Sequence, residues 1–330
     1  MSEGYSVGSA LNGSGHYPRT GSIDVIEEDP RSSFWWAWLI VGIVVGALGL
    51  LPWLLSGMAL PVQKLWATHT SASDMPLALL PLGKNGLGDV VVMFLAGSAI
   101  AGFVGRLART KLTQGGFWAL LAGVVLVQAV ATAQAAFVLQ AGVKHRIEST
   151  AYLSVIVLVA LVAIIAGAGI LALIARAPRA GALLGFALAA LPFSEWLASY
   201  TTLTSLSRMQ LIGTEIDAWL PAVIIAAAIG WSGMDTVGRI IAALVALALV
   251  WIAPAINVAI GAVAASHALS SAPSVLARHG VAAFQSTLFE FSVLLPPLVL
   301  TVVVAAVVLL LRLAVSRTRR GRMPRVAVEY

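Results

Sequence analysis

Residues 151–174 carry no charge, and neither do residues 291–311. Apolar runs of this length match a bilayer core about 30 Å thick, which an α-helix of about 20 residues crosses. Inside hydrocarbon every backbone polar group needs a partner within the protein, and a helix supplies that partner locally. Scanning the chain for further runs of this kind gives eight candidate spans: 34–57, 88–107, 117–139, 151–174, 180–199, 216–232, 237–264 and 288–312. The expected fold class is all-α, a polytopic transmembrane helix bundle.

Composition points the same way. Of the 330 residues 60% are hydrophobic and 10% charged, with a mean hydropathy of +0.96, whereas soluble domains are about a quarter charged. There are 0 cysteines, which removes disulfides, thiolate metal sites and cysteine nucleophiles together. Arginine-rich basic usage beside Ala, Val, Leu and Gly suggests a bacterial genome of high GC content.

Three regions follow. Residues 1–33 are Gly/Ser-rich with the acidic run Glu27, Glu28 and Asp29, and read as a disordered cytoplasmic tail. The first apolar run begins only at Phe34, too late for a cleaved signal peptide. Residues 34–312 form the bundle, and residues 313–330 a basic cytoplasmic tail. The net charge of +6 is assigned to anionic lipid of the inner leaflet rather than to nucleic acid, because Arg312, Arg317, Arg319, Arg320, Arg322 and Arg325 abut a span.

Lys and Arg concentrate on cytoplasmic loops. With both termini inside, 14 of the 20 basic residues fall on the inner side and 6 outside: Lys64, Lys84, Lys144, Arg146, Arg208 and Arg278. Trp35, Trp36, Trp38, Trp118 and Trp231 then lie at inner ends, and Trp53, Trp196 and Trp219 at outer ends, as interfacial belts. The outer connections 58–87, 200–215 and 265–287 are the long ones, and offer surfaces to envelope protein partners.

Pro52, Pro192, Pro221, Pro254, Pro296 and Pro297 all fall in the outer parts of their spans. Pro221 reads as an ordinary helix end, while Pro192, Pro254 and the Pro296-Pro297 pair sit further in; broken backbone at membrane depth is tolerated where it lines a cavity, so an outward-facing cavity is expected. Charge gathers at the same level. Glu195 lies late in the fifth span, Arg208 in the loop after it, Glu215 and Asp217 at the start of the sixth with Thr214 as N-cap, and Glu290 at the entry to the eighth. Ionisable residues within spans are expensive and are usually paired or functional. The candidate substrate-binding set is Glu195, Arg208, Glu290 and Asp217, with Glu195 and Arg208 as an ion pair. Gln128, Thr132 and Asn257 read as interhelical hydrogen-bonding groups, and Gly42, Gly46 and Gly49 as a small-residue packing stripe.

His69, His145, His267 and His279 fall on outer loops without metal-ligand spacing, so neither a metal nor a cofactor is expected. No phosphate-binding loop, GxSxG elbow or DDxxD pair occurs, which lowers the prospect of an enzyme. The stretch Pro76-Leu-Ala-Leu-Leu-Pro-Leu-Gly83 resembles segments of actinobacterial multispan membrane proteins of unassigned function, some labelled cell-division-associated. The resemblance covers eight residues and carries no functional residue across. The same stretch also suits a short re-entrant or interfacial segment.

The functional expectation is a transport or translocation component that takes an amphiphilic or anionic solute into an outward-facing polar cavity. A non-catalytic envelope-assembly or cell-division accessory is the alternative, and an outer-leaflet lipid-modifying enzyme using Glu195 and an outer histidine is the third.

Overall fold

The computed structural model describes residues 35–58, 76–82, 86–142, 147–203, 207–266 and 273–321. The expected tail 1–33 lies outside the described residues, as do His69, His145, His267, Lys64 and Lys84. Ten α-helices run through what is described: α1 (Trp35–Gly49), α2 (Leu51–Leu55), α3 (Leu87–Leu107), α4 (Gln114–Gly142), α5 (Ile147–Arg176), α6 (Arg179–Thr202), α7 (Ser207–Ser232), α8 (Val237–Ser266), α9 (Pro273–Leu288) and α10 (Phe291–Gly321). The protein is an all-helical, multi-pass membrane bundle. Seven helices, α3 to α8 and α10, are long and apolar enough to cross a bilayer. The first expected span is divided: α1 has 15 residues, and α2 continues it after a break at Leu50 where Pro52 opens the new helix.

Lipid tails are as apolar as leucine, so helices in a membrane associate through close packing and interhelical hydrogen bonds. The small-residue stripe of α1 supplies the packing. A Cβ at Gly42 would collide with the Leu120 carbonyl oxygen of α4, and one at Gly49 would lie 2.8 Å from the Gly97 Cα of α3. Gln128 supplies hydrogen bonds, donating to Phe94 O at 3.1 Å and Ser98 Oγ at 3.2 Å and so joining α4 to α3. Thr132 does not bridge helices. Its hydroxyl donates to Gln128 O, one turn back in α4, because a threonine within a helix reaches its own i−4 carbonyl first.

The stretch quoted above is a plug. Its residues 76–82 are not helical, yet Leu80 and Leu82 are fully buried among α3, α4 and α5 side chains such as Phe94, Leu139 and Ile156. Backbone groups in such a place need partners. Leu79 N–H donates to Gln134 Oε1 at 2.8 Å, Gln134 Nε2 donates to Leu77 O, and Trp53 Nε1 donates to Ala78 O at 2.8 Å.

α6 is the partition of the bundle. It packs on α3 and α5 on one side and on α7 and α8 on the other. Trp196, expected at an interface, points into the first side and is buried. Its indole N–H donates to Gly49 O at 2.9 Å, satisfying a carbonyl at the α1–α2 break.

Two of the connections expected on the outer side are more ordered than their composition suggests. The 265–287 region contains α9, whose 16 residues are too few to span and which packs along α8. The described residues of the 200–215 region are nearly all helical, because α7 begins at Ser207 and not at residue 216.

Candidate functional site

One end of the bundle is basic. Arg106 Nη1 donates to Ile174 O at 2.7 Å and Ala177 O at 3.0 Å, and its guanidinium lies 4.6 Å over the Trp231 ring. Asp235 accepts from Arg239 at 2.8 Å and Arg312 at 3.4 Å, while Arg176 lies over Phe117. These residues come from the ends of α3, α5 and α10 and the junction of α7 with α8, so they locate the other features by depth.

Measured from that end at 1.5 Å per residue, Glu195 stands about 24 Å beyond Arg179 in α6, Asp217 about 22 Å beyond Ser232 in α7, and Asn257 about 30 Å beyond Val237 in α8. The three therefore meet toward the opposite end, where they line one cavity of about 230 Å³ between α6, α7, α8 and α10. Asn257 Nδ2 donates to Glu195 Oε1 at 2.6 Å. Asp217 and, from α3, Asp89 are near enough to Glu195 to interact with it electrostatically. The Ser194 hydroxyl lies beside the Asp217 carboxylate, but it donates to Leu191 O at 2.8 Å. A hydroxyl has a single proton to give, and Asp217 Oδ1 is buried without a hydrogen-bond partner.

Three of the six prolines converge on the same place, while Pro52, Pro192 and Pro296 are not in the lining. Pro221, Pro254 and Pro297, from α7, α8 and α10, all line the cavity, and each helix continues through its proline. Proline has no N–H for the carbonyl four residues earlier. Those carbonyls belong to Asp217, Val250 and Val293, and each of these residues also lines the cavity. Thr301 donates to Pro297 O at 2.8 Å one turn on.

Of the four expected site residues, the structure brings Glu195 and Asp217 together and leaves the other two outside. Arg208 does not pair with Glu195. It lies nine residues before Asp217 in one continuous helix, about two and a half turns at 3.6 residues per turn, and so faces the opposite side. There it lines a separate exposed groove with Glu215 and Trp219, and Trp219 Nε1 donates to Glu215 Oε2 at 2.8 Å. Thr214 is not an N-cap: it lies inside α7, donating to Leu211 O. Glu290 sits exposed at the α9–α10 junction, where its carbonyl accepts from Val293 and Leu294 at the first turn of α10. Asn257, read from sequence only as a bridging group, is the third polar member of the site. Its signal was position: a side-chain amide three residues after Pro254.

Chemically the cavity offers acceptors. Among its side chains Glu195 and Asp217 accept, and the Asn257 amide gives one of its two N–H groups to Glu195. No histidine, lysine or arginine lines it. His279, the one histidine among the described residues, lies exposed on α9. No family model matches the chain, and neither does any curated protein or solved structure.

Proposed function

We propose that this integral membrane protein is a transport or translocation component that receives its solute in the cavity between α6, α7, α8 and α10. The observation that supports this reading is the meeting of Glu195, Asp217 and Asn257, from three helices, in one apolar-walled space at membrane depth. Carboxylates in such surroundings cost several kcal/mol each unless something compensates them, and intramembrane acids typically mark solute or ion pathways. Three proline-interrupted helices around the space suit walls that open. The acceptor-rich lining disfavours the anionic solute expected from sequence, since Arg208 faces away.

With the arginine-rich end on the cytoplasmic side, the cavity opens outward. The chain has 0 cysteines, so single cysteines report without background. Val258→Cys, in the lining, is expected to react with an impermeant thiol reagent in intact cells, and the reaction should slow when the cavity is occupied. Absence of reaction in cells whose permeabilised membranes do label Val258→Cys would overturn the reading.

A second reading is a non-catalytic envelope-assembly or cell-division accessory. It draws on α9, where Arg278, His279, Gln285 and Ser286 are all exposed on one helical face while the opposite face packs on α8.

A further inference from the structure

We infer that the ligand of this cavity is a compact organic monocation, an ammonium group on an apolar body smaller than a drug-sized molecule. The inference rests on the cavity being the solute site, and adds the chemistry of what occupies it.

Size comes first. About 230 Å³ lies below the ~300–1,000 Å³ of pockets for drug-sized ligands. Shape of charge comes next. Of the 18 lining residues only Glu195, Asp217 and Asn257 carry polar side chains, and the rest are Ala, Leu, Ile, Val and Pro. A hydrated inorganic cation needs oxygen ligands on several sides, whereas here the carboxylates occupy the α6–α7 side and, Asn257 apart, the side chains of the other walls are hydrocarbon. An ion with one charged end and one greasy end matches both.

Hydrogen-bonding capacity is the third argument. An ammonium group presents donors and no acceptor. The cavity presents the reverse: two carboxylates, with Asp217 Oδ1 buried and unpartnered. The Asn257 amide gives one of its two N–H groups to Glu195. A neutral acceptor or an anion finds only the second Asn257 N–H as a side-chain donor, and an anion also meets Glu195, Asp217 and the field of Asp89.

Three probes of nearly equal shape separate these terms: 2-phenylethylammonium, 2-phenylethanol and phenylacetate, titrated calorimetrically into the full-length protein in nanodiscs at neutral pH. The ammonium ion is expected to bind, the alcohol at least about ten-fold more weakly, a difference of about 1.4 kcal/mol, and phenylacetate not at all. Asp217→Asn and Glu195→Gln should each weaken the ammonium ion and leave the alcohol within about two-fold, which is under 0.5 kcal/mol. Ala190→Phe, which fills the cavity wall, should remove both. Should a carboxylate variant fail to fold, the ranking on the unaltered protein still decides. Equal binding of ammonium ion and alcohol, preference for phenylacetate, or saturation by sodium chloride in competition with the ammonium ion would each overturn the inference. If Val258→Cys is labelled from outside while the probes bind alike, the solute cavity stands and the ligand class falls. If Val258→Cys is unreactive from outside, the transport reading falls by itself.

Discussion

The Asn257 side-chain amide donates to Glu195 Oε1 at 2.6 Å, joining α8 to α6 in the lining of an apolar-walled cavity. The two residues are 62 positions apart. Removing the donor leaves a carboxylate among hydrocarbon walls with less to hold it. Asn257→Ala should therefore lower stability in detergent by about 1–2 kcal/mol, within the range for membrane and charge-assisted hydrogen bonds. A double-mutant cycle with Glu195→Gln should show coupling; independence of the two would remove the bond from the account.

Arg208 and Glu195 should behave as strangers. Because α7 turns Arg208 to the far side from Asp217, Arg208→Gln and Glu195→Gln are expected to add within about 0.5 kcal/mol, as separated sites do. Coupling well beyond that in thermal unfolding would restore an ion pair between them.

The α1–α4 contact should tolerate no side chain. At Gly42 a methyl group meets the Leu120 carbonyl oxygen and the Gly123 Cα, backbone that has no room to yield. Gly42→Ala should cost about 1–3 kcal/mol by overpacking. Gly88→Ala, where nothing lies within 4 Å, should be neutral or stabilising by up to about 1 kcal/mol, since alanine is the better helix former. Melting temperatures of the two variants side by side check the contrast, and equal effects would refute it.

Trp196 closes the break between α1 and α2. Trp196→Phe keeps a ring in the core but leaves Gly49 O without its indole donor, at an expected cost of about 1 kcal/mol. Trp196→Ala also empties the space beside Phe193 and Tyr200, with about 3–5 kcal/mol lost. Unfolding measurements that rank the phenylalanine variant with the alanine variant would place the whole effect in the hydrogen bond.

Orientation is checked at two residues far from the cavity. Arg278→Cys, exposed on α9, is expected to label with an impermeant reagent in intact cells, and Lys111→Cys, exposed between α3 and α4, only after permeabilisation. The reverse pattern would invert the topology.

What the sequence determined by itself is whatever depends on local composition. Runs such as 151–174 are helices because no other local structure satisfies their backbone in hydrocarbon, so the all-helical membrane class and the approximate bounds of most long helices were legible. The prolines also announced a cavity, since a missing N–H is a property of one residue. Tertiary structure decided everything that depends on which faces meet. A loop between residues 200 and 216 would have left Arg208 free to approach Glu195, but a helix from Ser207 fixes it about 13 Å of rise and half a turn away from Asp217. Thr214, Glu215 and Asp217 looked like the start of a helix, when they lie inside one already under way, with Glu215 and Asp217 on different sides of it. Asn257 and Glu195 meet only because α6 and α8 pack together, and no local pattern encodes a contact between side chains so far apart in the chain. The plug at residues 76–82 is buried for the same reason: its apolar side chains are visible in the sequence, but Gln134 and Trp53, which satisfy its backbone, are brought to it only by the fold.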